Sequence, residues 1–312
     1  MRYSRKAAKR LKWFLKGVEA LRQARPEAPK MYYCPLCLVG YPSTDELTLE
    51  DVPPRSVGGR PLVLTCRGCN GRSGHELDYH ARAGKNLREF AEGARDIRVR
   101  LAADDLKVTA TMRKTSEGLS FSGLPQYCNP AHHKAFFARF EEAAGRGTAD
   151  FDLGLSFVNR YDPWAENLAW LRASYLVAFA ALGYTYILRP ELEPLRQQLK
   201  NPGERILPFM VSLVEAAEAG LRRSIVVFEP TELRSILVQF DRRLLFLPDL
   251  TARDNFFGQL RVAAQAQSRA INFLGPELRW PTSPIFLLDF HPALIPRLQP
   301  QAVDLWKGVE NR

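Results

Sequence analysis

Residues 34–70 read CPLCLVGYPSTDELTLEDVPPRSVGGRPLVLTCRGCN. Two C-x-x-C pairs, Cys34/Cys37 and Cys66/Cys69, frame the stretch with 28 residues between Cys37 and Cys66. A two-residue spacer lets both thiolates of a pair face one ion, and two such pairs supply the four soft ligands that tetrahedral zinc takes. A site closed by four cysteines has no open position, so its Zn2+ is expected to be structural. One pair alone would leave a thioredoxin-like redox reading open; two pairs favour a metal. The fifth cysteine, Cys128, stands apart and reads as an ordinary free thiol. Between the pairs, residues 47–52 (LTLEDV) and 62–66 (LVLTC) read as strands separated by a Pro/Gly loop. The second knuckle then leads into a helix from about Gly71 into the 80s. The pattern predicts a zinc-stapled ββα unit that places Glu50, Asp51 and Asn70 near one another.

That arrangement resembles the zinc-stapled branch of the HNH endonucleases. The resemblance is carried by C-x-x-C, then Leu47-Thr48-Leu49-Glu50-Asp51-Val52-Pro53, then Gly58-Gly59, then Leu64-Thr65-Cys66 with the closing Cys69-Asn70. It covers roughly residues 31–82, about one sixth of the chain. It implies a ββα-metal fold that hydrolyses phosphodiesters with one divalent ion, Mg2+ or Mn2+. On this resemblance Glu50 and Asn70 are metal ligands. Asp51 stands where the family has its general-base histidine, and Pro61 falls about where many members have an asparagine that orients that base.

Those two departures bear on catalysis. A histidine with a pKa near 6.5 accepts a proton from water at neutral pH far better than a carboxylate near 3.9. Three outcomes stay open: Asp51 as a base with a raised pKa, Asp51 as a further metal ligand, or a zinc-held unit that binds nucleic acid without cutting it. Adjacent side chains on a strand point to opposite faces, so joint ligation by Glu50 and Asp51 requires a kink, for which Pro53-Pro54 is a candidate. Asp78 lies two helical turns beyond Asn70 and is a third candidate ligand for the divalent ion. His75 and His80 are candidate substitutes for the base, each otherwise an exposed polar residue on a helix. His132-His133 at a helix start and His291 after Asp289 read as structural.

Outward from this unit, residues 1–30 hold ten basic and two acidic residues, so most of the net charge of +10 sits there. Residues 4–25 read as an amphipathic helix with Ser4 as N-cap and an apolar stripe of Leu11, Phe14, Leu15, Val18 and Leu21. Arg5, Lys6, Lys9, Arg10, Lys12 and Lys16 are its candidate phosphate contacts. The 312 residues are 46% hydrophobic and 25% charged, which excludes disordered and low-complexity classes. Five cysteines are too few for a secreted disulfide scaffold. The most apolar run, Ala173 to Leu188 after Arg172, is 16 residues, shorter than the roughly 20 a membrane helix needs. No signal peptide is read at the basic N-terminus, so the expected location is cytoplasmic, with no membrane partner.

The remaining chain reads as α+β. Strands are predicted at 97–101, 106–111, 151–158, 224–228, 235–240, 244–247 and 285–289, and helices at 163–188, 191–200, 204–219 and 256–273. The expected fold class is α+β: a basic helix (1–30), a small HNH-like zinc domain (31–90), and a larger α+β domain (95–312). The larger domain is expected to serve target choice, regulation, or a homodimer or protein contact. Two functions follow as expectations. One is a metal-dependent HNH-type endonuclease acting on DNA, in a prokaryotic defence or mobile-element role by family association. The other is a non-catalytic zinc-stapled nucleic-acid-binding or adaptor protein. The discriminating feature is a divalent-ion site at Glu50 and Asn70, distinct from the cysteine zinc.

Overall fold

The first helix shows how the chain departs from a simple hydrophobic stripe. In the computed structural model, α1 (Arg5–Ala24) starts where the Ser4 hydroxyl accepts from the Ala7 amide at 3.3 Å and ends before Pro26. Its buried face is Trp13, Phe14, Gly17, Ala20 and Leu21, whereas Leu11 and Leu15 are exposed. The face is rotated from the predicted stripe because Gly17 has no side chain. The ring of Tyr32 lies where a Gly17 β-carbon would stand, 2.4 Å from its Cδ2.

The structure describes residues 4–145, 153–158, 160–208, 211–213, 223–227, 235–240, 243–249, 255–266 and 277–286. After α1 come β1 (Tyr32–Tyr33), β2 (Gly40–Tyr41), β3 (Leu47–Val52), β4 (Arg60–Cys66), α2 (Arg67–Ser73), a π-helical turn Gly74–Asp78 and α3 (Tyr79–Ala91). Then follow β5 (Ile97–Ala103), β6 (Leu106–Thr115), β7 (Gly118–Gly123), α4 (Pro130–Gly145), β8 (Gly154–Phe157), α5 (Pro163–Leu182), α6 (Tyr184–Ile187) and α7 (Glu193–Lys200). The last described elements are β9 (Val211–Leu213), β10 (Arg223–Val227), β11 (Ser235–Phe240), β12 (Arg243–Pro248), α8 (Phe256–Ala266) and β13 (Glu277–Leu278). The fold is α+β, as expected.

Several predicted elements shift. The helix expected over 204–219 is not formed in its described part: residues 204–208 are irregular and β9 pairs antiparallel with β12. Residues 285–286 are not strand; the amides of Ile285 and Phe286 donate instead to the Ala180 carbonyl at the end of α5. The apolar run after Pro163 breaks at Gly183, whose φ of 69° suits glycine and turns the chain into α6. β7 lies within the stretch 97–123 that reads as strand, with Leu119 and Phe121 alternating with Ser120 and Ser122, although no separate strand is delimited there; the two-residue β13 was not expected. His291 and residues 151–152, 214–219, 267–273 and 287–289 lie outside the described residues.

Two compact units emerge. One joins residues 1–78 to residues from Trp164 onward; the other is Tyr79–Pro163. This differs from the serial division at 31–90 and 95–312, and α5 supplies the physical reason. Seventeen of its twenty residues are buried, so it needs apolar neighbours on every side. The N-terminal ββα elements, too small for a core of their own, provide one of them. Tyr175 donates to the Pro35 carbonyl at 2.7 Å, and Tyr184 donates to the Tyr33 carbonyl at 2.9 Å. A sheet of order β13-β10-β11-β12-β9 completes this unit. The buried Glu166 of α5 pairs with Arg243 of β12, beside Trp170.

The second unit is an antiparallel sheet of order β7-β6-β5-β8 with α4 and Phe90 of α3 against it. Val99, Leu101, Val108, Ala110 and Met112 alternate into a core with Phe136. No helix among the described residues is long and apolar enough to cross a membrane.

Candidate metal centre

The two knuckles converge as their spacing predicts. The sulfurs of Cys34, Cys37, Cys66 and Cys69 all lie within 4.8 Å of one another and can hold one metal ion. Cys37 and Cys66 sulfurs are 3.8 Å apart. Four ligands at 2.3 Å in a tetrahedron stand about 3.8 Å from each other, while a disulfide would bring them to about 2.05 Å. The backbone turns each sulfur inward. Leu38, at φ 57°, closes the first knuckle, with its amide on the Cys34 carbonyl at 2.8 Å. In the second, Cys66 caps α2 and its sulfur accepts from the Cys69 amide at 3.4 Å. The Cys66 amide in turn reaches the Cys34 sulfur at 3.4 Å, a contact that favours thiolate. Burial pushes the Cys34 thiol up, while hydrogen bonding from Cys34 brings Cys37 down to about 7. A cation displaces the remaining protons.

The hairpin β3–β4 carries the other predicted residues. Its register shifts between Glu50 and Asp51: Glu50 opposes Val63, Asp51 opposes Pro61, and Leu62 is the extra residue. The irregularity therefore lies in β4, while β3 runs unbroken through Glu50 and Asp51 to Val52. Thr48 and Glu50 share a face. Asn70 donates from Nδ2 to Thr48 Oγ1 at 2.8 Å, and Thr65 donates from Oγ1 to Glu50 Oε2 at 2.7 Å. The structure thus brings Asn70 and Glu50 to one face, each bonded to a threonine.

Glu50 has a second partner that sequence reasoning missed. Arg172 of α5 places Nη2 2.8 Å from Glu50 Oε1, both side chains only 3% exposed, and Nη1 4.0 Å from Asp78 Oδ1. The signal was available: an arginine leading into an apolar helix must find a buried anion. The Arg172–Glu50 contact is an ion pair without hydrogen-bond alignment at Nη2, and Arg172 Nε and Asp78 Oδ1 have no hydrogen-bond partner among the described residues. Burial pushes Asp78 up to about 6, against the pull of Arg172 and with the push of Glu50 and Asp51. Burial also raises Asp51; Arg55, Lys9 and Lys6 oppose this and Glu50 adds to it.

These contacts test the divalent ion implied for Glu50 and Asn70, and the residues as they stand do not fit it. One Glu50 oxygen takes a hydroxyl and the other faces a guanidinium, whose charge opposes a dication in the same place. Asn70 gives its Nδ2 to Thr48, which leaves its Oδ1 as the acceptor, so the misfit rests on Glu50. Asp51 and Asp78 remain the less saturated carboxylates of the group.

Of the two candidate base histidines, His80 serves elsewhere, and the side chain of His75 lies outside what the structure describes. His80 Nδ1 accepts from the Asp162 amide at 3.0 Å, and the His133 ring packs on Phe137 with centroids 4.8 Å apart. Cys128 donates to the Leu124 carbonyl at 3.2 Å. On α1, Arg5, Lys6 and Lys12 are exposed, and Lys16 is half-buried. Lys9 Nζ lies 4.4 Å over the Trp13 ring, and Arg10 donates to the Leu47 carbonyl at 3.3 Å. Arg10 therefore anchors α1 to the hairpin. Compared with protein-family models, curated proteins and solved structures, the chain matches none.

Proposed function

We propose that this protein binds DNA through a zinc-stapled, HNH-type module in which the place of the catalytic ion is taken by a guanidinium. The ion held by Cys34, Cys37, Cys66 and Cys69 is Zn2+ in this reading, chosen by four thiolates and the fit to a closed tetrahedron. The observation that carries the non-catalytic reading is the double engagement of Glu50 by Arg172 and Thr65. It agrees with the two motif departures, Asp51 for a histidine and Pro61 for an asparagine. Exposed Arg5, Lys6 and Lys12 on α1 supply phosphate contacts.

The nuclease reading keeps one specific observation in its favour. Asp78 has a buried oxygen without a hydrogen-bond partner among the described residues, and Asp51 lies close enough to push it up. Mg2+ or Mn2+ would find there two carboxylates that Arg172 does not saturate. The test is supercoiled plasmid with zinc-loaded protein and added Mg2+ or Mn2+, beside Glu50→Ala, Asp51→Ala and Asp78→Ala. The expected result is intact plasmid retarded on a gel. Metal-dependent nicking that disappears in Asp51→Ala or Asp78→Ala would establish the nuclease and overturn the binding-only reading.

A further inference from the structure

We infer that the open face of the β7-β6-β5-β8 sheet is a second nucleic-acid surface, one that holds phosphate backbone without reading bases. It shares its partner with the DNA-binding reading above but stands on separate residues. Strand alternation sets it up. While Val99, Leu101, Val108 and Met112 point into the core, Arg98, Arg100, Lys107 and Arg113 are exposed. An opposite charge directly across on the neighbouring strand would stabilise an outward arginine by about 0.2–1 kcal/mol. Here the cross-strand neighbours are hydroxyls: Arg100 stands between Thr109 and Ser156, and Arg98 is opposite Thr111. Lys107 is opposite Ala102. Among the described residues only Arg113 is neutralised, by Asp96 at 2.8 and 2.7 Å. No carboxylate falls on this face among the described strand residues.

The chemistry selects a polyanion. Guanidinium beside hydroxyl is a donor set suited to phosphate oxygens. Arg98 and Arg100, two residues apart on one strand, repeat at about 6.6 Å, so they address successive charges rather than one small anion. The Arg98 guanidinium is stacked 4.3 Å over the exposed Tyr127 ring, which holds its plane in place. A membrane surface would ask for apolar side chains among the basic ones. The exposed apolar residues of this sheet, Leu119, Leu155 and Phe157, belong by register to the opposite, core-facing side.

Titration of a labelled random-sequence DNA duplex with the zinc-loaded full chain, followed by anisotropy at several salt concentrations, tests this. The triple variant Arg98→Ala/Arg100→Ala/Lys107→Ala is expected to bind at least about tenfold more weakly at about 50 mM salt, with the log–log salt slope flattened by about 2–3. Its melting temperature and zinc content should match the parent, since all three side chains are exposed. Lys6→Ala/Lys12→Ala runs beside it. If the triple variant keeps its affinity and slope while the α1 variant loses them, the sheet surface is overturned and the α1 interface stands. If both variants lose affinity, or only the triple variant does, the sheet surface is supported. Absence of salt-dependent binding by the parent chain overturns both, and capture of the parent by phosphatidylserine vesicles instead of DNA assigns the face to a membrane.

Discussion

Arg172 decides the character of the carboxylate group. Replacing it with Met leaves Glu50 buried with a single hydroxyl partner, a change of the kind that costs about 3–5 kcal/mol. Urea unfolding of Arg172→Met should show a loss of that size, and Glu50→Gln/Arg172→Met should recover most of it because no lone charge remains. A single-variant loss under about 1 kcal/mol would mean that the pair is not what holds α5 to the hairpin. Asp78 gives a pH signature. Its folded-state pKa is raised to about 6 from 3.8, so its charged form is disfavoured by folding. The resulting penalty is present above about pH 6 and is relieved as pH falls towards 4, the reverse of a salt-bridged aspartate. Asp78→Asn should therefore be more stable than the parent at pH 7, by on the order of 2 kcal/mol. The gap should close by pH 4, as read from denaturant midpoints across that range.

At the scale of elements, α1 is seated by an absent side chain. Gly17 costs the helix about 1 kcal/mol in propensity relative to alanine. The Tyr32 ring fills the space that results, and its hydroxyl on the Leu64 carbonyl at 2.8 Å prevents it from swinging aside. Gly17→Ala should thus lower the melting temperature, because overpacking of about 1–3 kcal/mol exceeds the propensity gain. Gly71→Ala in α2, with nothing within 4 Å of the added carbon, should raise it slightly. Opposite signs for the same substitution would separate packing from propensity; equal signs would refute the seating of α1 on Tyr32. The helix register was misread from sequence for this same reason. Leu11 and Leu15 score as core by spacing, whereas Trp13, Gly17 and Ala20 are the residues that fit against an aromatic ring.

For the molecule as a whole, the cysteine cluster is expected to act as a staple. Native mass spectrometry should find one zinc per chain. Chelation, acidification or Cys66→Ser should release it, with a fall in melting temperature, since the ligands must be thiolates and the knuckles contribute little core of their own. Full stability with no bound metal would overturn the assignment. The staple also matters beyond its own hairpin, because Tyr175 and Tyr184 of the later helices bond to Pro35 and Tyr33 on either side of Cys34.

What could be read from the chain alone were the features that local chemistry dictates. The paired C-x-x-C spacing determines a four-sulfur cluster, Ser4 and Pro26 bound the first helix, and alternation at 97–111 determines two strands. The tertiary structure decided everything that depends on which distant surface a side chain meets. It set Arg172 against Glu50, placed a bulge at Leu62 between Glu50 and Asp51, and joined residues 1–78 to those after 164. Those outcomes follow from burial, which sequence spacing cannot express. A fully buried helix must recruit neighbours from anywhere in the chain, and a buried charge must find its partner there too.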